Sequence, residues 1–268
     1  AIEERLALLT RLKRKYAPGV SEIIAMKESL DLEIATLETA AETREGLAAE
    51  LVSLSDKTQQ LGLELSAARE LAGQKLQATL LKELADLAMN GASFGVELFP
   101  LAQPGTDGLE RVEFMVSLNP GEPLMPLAKV ASGGELSRLM LAIKRLAPDA
   151  DRVPTVIFDE VDAGIGGAAA TAVGRKLQAV SSTAQILCVT HLPQVAAFAD
   201  HHHRVVKSEV EGRTVTAMER IEGDERVMEM ARMLGGAQVT EQTLLHAREL
   251  ISTSASARSL CSCCRFGF

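Results

Sequence analysis

Hydrophobic positions recur every three or four residues through the first third of the chain and every second residue just after it. Ile2, Leu6, Leu9 and Leu12 mark a first helix, broken by Pro18-Gly19. A second helix begins near Ser21, and from Ile23 the spacing of three and four is kept through Met26, Leu30, Glu33, Leu37, Ala40, Arg44, Leu47, Leu51, Leu54, Thr58, Leu61, Leu65, Ala68 and Ala72. Twelve of these fifteen positions are apolar, over more than six heptads, which predicts a coiled-coil seam. Helical to about Asn90, the segment would be roughly 100 Å long at 1.5 Å per residue. Such a stripe needs a partner. Residues 1 to 15 can reach back over only its first turns, so the rest requires a preceding segment of a longer protein or a second copy. The turn at Tyr16 to Val20 then becomes the tip of an antiparallel arm, and Asn90-Gly91 its junction with a globular head.

Past Gly91 the period changes. Phe94, Val96 and Leu98, then Val112, Phe114, Val116 and Leu118, predict two strands joined by the turn-rich Gln103 to Gly108. Pro120, Pro123 and Pro126 cross a loop. Helix (134 to 146), strand (153 to 158), helix (168 to 180), strand (185 to 190) and helix (192 to 199) then alternate, as in an α/β domain. Val153 to Phe158 and Ile186 to Val189 are apolar on both faces, which predicts a largely parallel sheet buried on both sides. Two further strands, around Val205-Val206 and Thr214 to Met218, precede helices near 224 to 234 and 240 to 251. The division is thus an arm over 1–90, a head lobe over 91–252 and, from Thr253, an unstructured or appended tail without periodicity.

Composition narrows the picture. With no Trp, one Tyr and 3% aromatics among 268 residues, the chain has the makeup of long helices. A formal charge of −8 excludes a protein that coats nucleic acid by bulk electrostatics, although Lys13-Arg14-Lys15 is a local basic run. There is no run of 18 apolar residues and no signal peptide at Ala1-Ile2-Glu3. The chain reads as soluble and as a piece of something longer. Cys188 reads as a small buried hydrophobe, whereas Cys261, Cys263 and Cys264 lack the paired spacing of a zinc site.

Three motifs carry chemistry. Thr155-Val156-Ile157-Phe158-Asp159-Glu160 is an apolar strand delivering two carboxylates to the carboxyl edge of a sheet, where ligands bind in such folds. The first can hold Mg²⁺ through hard oxygen atoms, and the second can orient a water for in-line attack on phosphorus. The bland reading is a strand end in solvent. Ser132-Gly133-Gly134-Glu135 before an apolar run fits a capping box, yet a plain cap has no need of two glycines, which let backbone N–H groups approach a phosphate closely. Arg138, one turn on, faces solvent or an interface; the sequence leaves both open. His191 ends the strand from Ile186 and so shares the sheet edge with Asp159 and Glu160. His201-His202-His203 cannot converge on a metal along an extended chain and reads as a polar turn. No Gly-x-x-x-x-Gly-Lys-Ser/Thr phosphate cradle occurs in the chain, and Gly164-Ile165-Gly166-Gly167 lacks the Lys.

These residues resemble the motifs of an ABC-type ATPase head: Ser132 to Glu135 the signature, Thr155 to Glu160 the Walker B, Val161-Asp162-Ala163-Gly164 the D-loop, and His191 the switch histidine. The longer runs Ala131 to Lys144, Phe158 to Gly167 and Thr190 to Ala196 resemble the RecN family of SMC-like ATPases of DNA double-strand-break repair, over residues 1 to about 252. The resemblance implies an α/β ABC-type ATPase head lobe, a mostly parallel sheet with flanking helices, preceded by a long antiparallel coiled-coil arm segment. It implies ATP and Mg²⁺ as cofactors. Glu160 and His191 would be catalytic, Asp159 the Mg²⁺ ligand, and Ser132, Gly133, Gly134, Glu135 and Asp162 the nucleotide-facing set, with Ser132 and Gly134 reaching the γ-phosphate held by a second head. Implied partners are the N-terminal half of the same protein bearing the Walker A and Q-loop, a second copy through the heads and as a further candidate contact the arm tips, and DNA, in the bacterial cytoplasm on the nucleoid and not at a membrane. Without that half the chain is expected to be inactive alone. SMC, Rad50 and SbcC relatives would carry longer arms or a Cys-x-x-Cys hook, transporter subunits lack such a rod, and a non-hydrolysing scaffold has no use for Asp159, Glu160 and His191 together.

Overall fold

A computed structural model describes residues 2–130, 133–148, 153–210, 213–236 and 238–261. The chain divides into two compact units, Ala1–Ser66 with Leu101–Leu109, and Ala67–Pro100 with Glu110–Phe268.

In the first unit, helix α1 (Ile2–Lys15) buries none of its residues, and α2 (Val20–Asp86) follows the Pro18-Gly19 break. The helix starts one residue earlier than the Ser21 expected, because the Glu22 carboxylate reaches back to accept the Gly19 N–H at 3.1 Å and satisfies a free donor of the first turn. The seam is apolar and uncovered: Leu37, Leu47, Leu51 and Leu54 are 63, 60, 68 and 56% exposed. Interspersed threonines bond back to the carbonyl one turn earlier, as Thr36 does to Leu32 and Thr58 to Leu54.

The second unit begins with the last turns of the same helix, where Leu80, Leu84 and Leu87 are fully buried. The helix ends at Asp86 rather than near Asn90. Its C-terminus is closed by Met89 N–H on the Leu84 carbonyl and Ala88 N–H on that of Ala85, with Ala88 left-handed at φ 59°. Lys176, buried on α4 (Gly167–Val180), bonds Glu83 at 2.5 Å and Asp86 at 2.8 Å near this end. Strands β1 (Ser93–Gly105), β2 (Gly108–Ser117) and the two-residue β3 (Met125–Pro126), which no periodicity announces, form a sheet in that order.

Helix α3 (Gly133–Leu146) leads to β4 (Thr155–Phe158), then α4, and β5 (Gln185–Cys188) returns parallel to β4, with Thr155 opposite Gln185 and Phe158 opposite Cys188. Val156, Phe158, Ile186 and Cys188 join Leu139, Leu141, Val173 and Leu177 in the main core. The other face departs from the expectation of a sheet buried on both sides: Ile157, Leu187 and Val189 are 67, 49 and 62% exposed. The residues are apolar as a doubly covered strand requires, but no described element of this chain supplies the second layer. Cys188 fits the role of a small core residue, and burial pushes its thiol up to about 12.

A short helix α5 (Pro193–Ala196) precedes the antiparallel hairpin β6 (His202–Val210) and β7 (Arg213–Ile221). His201 lies in the bend before β6, while His202 and His203 already belong to the strand, half-buried and exposed in turn, so two of the triplet are strand rather than turn. Helices α6 (Gly223–Gly235) and α7 (Glu241–Cys261) pack with α5 around Ala196, Ala197, Met230, Ala231 and Ala247. The expected tail from Thr253 is instead helical as far as Cys261. Ala247, Leu250, Ile251 and Ser254 lie on one helical face, and buried Ser254 Oγ donates to the Ala197 carbonyl at 2.8 Å. Cys263 and Cys264 lie outside the described residues. No described helix is long and apolar enough to cross a membrane.

Candidate nucleotide-hydrolysis site

The parallel register decides which residues meet. Beyond the last pair, Val189 N–H still donates to the Phe158 carbonyl at 2.9 Å. Asp159-Glu160 and Thr190-His191 therefore leave the sheet side by side at its carboxyl edge. Both carboxylates are exposed.

Asp162 turns the other way. It is 2% exposed, and its Oδ2 accepts from Thr190 Oγ1 at 2.5 Å and from the backbone N–H of His191 at 3.0 Å and of Leu192 at 3.3 Å, with the His191 ring Nδ1 3.1 Å away. One buried carboxylate thus holds the backbone of His191 and lies beside its ring, while the side chain stays 71% exposed.

The third side is α3. Ser137 Oγ donates to the Asp159 carbonyl at 2.8 Å, and Arg138 Nη1 to the carbonyls of Ala163 at 2.8 Å and Val161 at 3.4 Å. Arg138 is 5% exposed, and burial lowers the pKa of its guanidinium, opposed by the charges of Glu135 and Asp162. Both readings left open for it, solvent or interface, are replaced by a third: its partners are inside its own lobe. The paired glycines also acquire packing reasons. A Cβ on Gly134 would lie 2.8 Å from both the Glu160 carbonyl and the Ala163 Cβ, and one on Gly133 would lie 2.7 Å from Glu160 Oε2. The start of α3 is thus pressed against the turn carrying Glu160. Glu160 itself sits at φ 55°, a left-handed conformation that costs a residue with a Cβ about 1–2 kcal/mol.

Gly133, Gly134, Asp159, Glu160, Asp162 and His191 are accordingly brought to one edge, with Glu135 half-buried on α3. Ser132 lies outside the described residues. Sequence reasoning missed Thr190 and Ser137 and left Arg138 undecided; the signal available for Arg138 was its one-turn spacing from Gly134, which puts both on one helix face. Asp159 fits a Mg²⁺ ion: it offers an exposed hard-oxygen ligand at the sheet edge, and Mg²⁺ is commonly held by one or two carboxylates with the remaining positions filled by water and phosphate. No described cluster of three or more His, Cys, Asp or Glu forms a metal site built from protein alone.

A parallel strand pair with this edge, flanked by α3 and α4 and preceded by a long helix, has the fold of one lobe of an SMC head domain with its coiled coil. The solved SMC head domain with a coiled coil and joint from Pyrococcus yayanosii matches at a TM-score of 0.50 and 21% identity, covering 78% of this chain and 38% of that one, a likeness of fold. In sequence the chain is similar to RecN proteins over nearly its whole length. It is 44% identical over 251 residues to the DNA repair protein RecN of Deinococcus radiodurans, covering 94% of this chain and 44% of that protein, and 37% identical over 273 residues to that of Bacillus subtilis, covering 96% and 47%. The chain therefore spans about half the length of the curated relatives it matches. No family model matches it.

Proposed function

We propose that this chain is the signature and Walker B half of an SMC-like ATPase acting in DNA double-strand-break repair, with residues 1–90 as coiled-coil arm and 91–252 as head lobe. The observation carrying the reading is the convergence of Asp159, Glu160, the Asp162-held His191 and the glycine N-terminus of α3 at one sheet edge. ATP and Mg²⁺ are the cofactors. Asp159 ligates the Mg²⁺, which supplies charge neutralisation at the phosphates when bound. Glu160 orients the attacking water and draws off its proton. His191, its backbone held from behind by Asp162, contacts the γ-phosphate. Ser132, Gly133 and Gly134, with Glu135 behind them, reach the nucleotide of a second head, so hydrolysis is tied to head pairing and through it to DNA bridging or tethering in the bacterial cytoplasm, on the nucleoid.

The partner lobe is the half of the same protein that carries the phosphate cradle. Support comes from the uncovered face of Ile157, Leu187 and Val189, an apolar layer suited to a second layer of protein. Asp162, being turned inward, couples sites through the His191 loop.

The test mixes this chain with a separately made N-terminal half bearing a Walker A motif. Turnover is expected only in the mixture, and Glu160→Gln should lower it by about 100-fold or more while leaving ATP binding intact. Proven association of the halves without turnover would instead favour a head used as a structural clamp.

A further inference from the structure

We infer that Ser137 and Arg138 are positioning residues for Glu160, fastening the carboxylate's backbone to the helix whose N-terminus carries the signature glycines. The inference deepens the reading above and rests on it. Glu160 occupies a backbone conformation that residues with a Cβ rarely adopt. Such a conformation persists only where the surroundings over-determine it. Here the surroundings are few and identifiable. Ser137 Oγ holds the carbonyl immediately before Glu160, at Asp159; Arg138 holds the carbonyls after it, at Val161 and Ala163; and Ala163 N–H closes the turn on the Glu160 carbonyl at 2.9 Å. Two of the three grips come from consecutive residues of α3.

Their place on that helix gives the grip a consequence. Gly134 and Arg138 are one turn apart on one face, and Gly134 touches the same turn with no room for a Cβ. The first turn of α3, the Glu160 turn and the loop to Ala163 therefore move as one piece. A contact that draws the signature glycines toward a nucleotide on another head repositions Glu160 at this chain's own site. Arginine suits the task because its guanidinium offers several donors in a rigid plane and reaches two carbonyls at once, where a lysine ammonium is a single point. With its side chain shut away from water, Arg138 is committed to these carbonyls.

The experiment uses the complete ATPase and measures turnover, KM for ATP and ATP-dependent head pairing for Arg138→Met, Arg138→Lys and Ser137→Ala. Misplacing Glu160 should lower kcat by about 100-fold in Arg138→Met, with KM and pairing held within about threefold, since only the reacting geometry is lost. Arg138→Lys should recover part of the loss. Ser137→Ala deletes one hydrogen bond on a half-exposed residue, folds even where the arginine variant does not, and should cost about tenfold in kcat. Placed in a Glu160→Gln background, either substitution should lower the residual turnover less than about twofold, because the group it positions is already gone. Unchanged kcat in both variants, or losses that multiply in the Glu160→Gln background, would overturn the clamp while leaving the site reading in place. Full turnover by Glu160→Gln alone would sink the site reading, and the clamp with it.

Discussion

Leu51 and Leu84 belong to one helix and one hydrophobic rhythm, yet Leu51 is 68% exposed and Leu84 is fully buried. The strand pair shows the same contrast across its thickness: Phe158 and Cys188 face the core, while Ile157 and Leu187, paired in register between the same strands, face outward and open. A periodic apolar face states that a surface is to be covered. It does not state by what. Leu80, Leu84 and Leu87 find their cover among Phe94, Leu139 and Val173 in this chain; the seam from Leu30 to Leu65 and the outer sheet face find none among the described residues.

The contrast can be broken most sharply in the helix. Leu84→Ala should destabilise the isolated chain by about 2–5 kcal/mol, the cost of an internal cavity in a packed core. Leu51→Ala should change it by less than about 0.5 kcal/mol, as surface substitutions do. Chemical denaturation followed by circular dichroism on both variants measures the difference. Equal losses would mean that the seam is already paired in solution, with a second copy as its cover, and the loss at Leu51 would then vary with protein concentration.

The outer sheet face gives the next effect. Ile157→Asp removes an exposed apolar side chain, so the stability of this chain should shift by under about 1 kcal/mol. If the Walker A half covers that face, the same change buries an unpaired carboxylate at the contact and should weaken association by about 2 kcal/mol, roughly 30-fold in Kd. Titration calorimetry of the two halves would decide. Undiminished binding would place the contact elsewhere.

Much of the architecture was legible because it rests on local rules. The 3.6-residue period located α2, α3, α4 and α6 to within a few residues, and alternation with turn residues located β1, β2 and the hairpin of β6 and β7. The shifted ends of α2 come from local caps, while the larger errors depend on residues distant in sequence. Helix α7 outruns its expected end because Ser254 finds the Ala197 carbonyl 57 residues away, which makes a Ser/Ala-rich stretch part of a packed face. At the site, motif order revealed that Asp159, Glu160 and His191 share a sheet edge. The carboxylate of Asp162 meeting the ring and backbone of His191 follows from the parallel register and from no local pattern. Arg138 was ambiguous for the same reason: an arginine on a helix is solvated unless a turn from another element is pressed onto it, and here the Gly134 contact does the pressing.

The smallest effect tests the end of α2, where the covered part of the helix stops. Its closing pattern, Met89 N–H to the Leu84 carbonyl and Ala88 N–H to that of Ala85, places Ala88 in the left-handed region at φ 59°, the position where glycine is usual. Alanine's Cβ is crowded there, while glycine adopts that conformation freely but loses more backbone entropy on folding. Relief of the Cβ strain, about 1–2 kcal/mol, exceeds the added entropic cost of about 0.5–1 kcal/mol. Ala88→Gly should therefore stabilise the chain by about 0.5–1 kcal/mol, raising the denaturation midpoint without changing the slope, since neither the folded contacts nor the exposed area changes. Loss of stability would mean that Leu84, Leu87 and Met89 hold the helix end in place only with the alanine's own stiffness behind them, and that the boundary between the covered and the open stretches of α2 is set by chain rigidity as well as by burial.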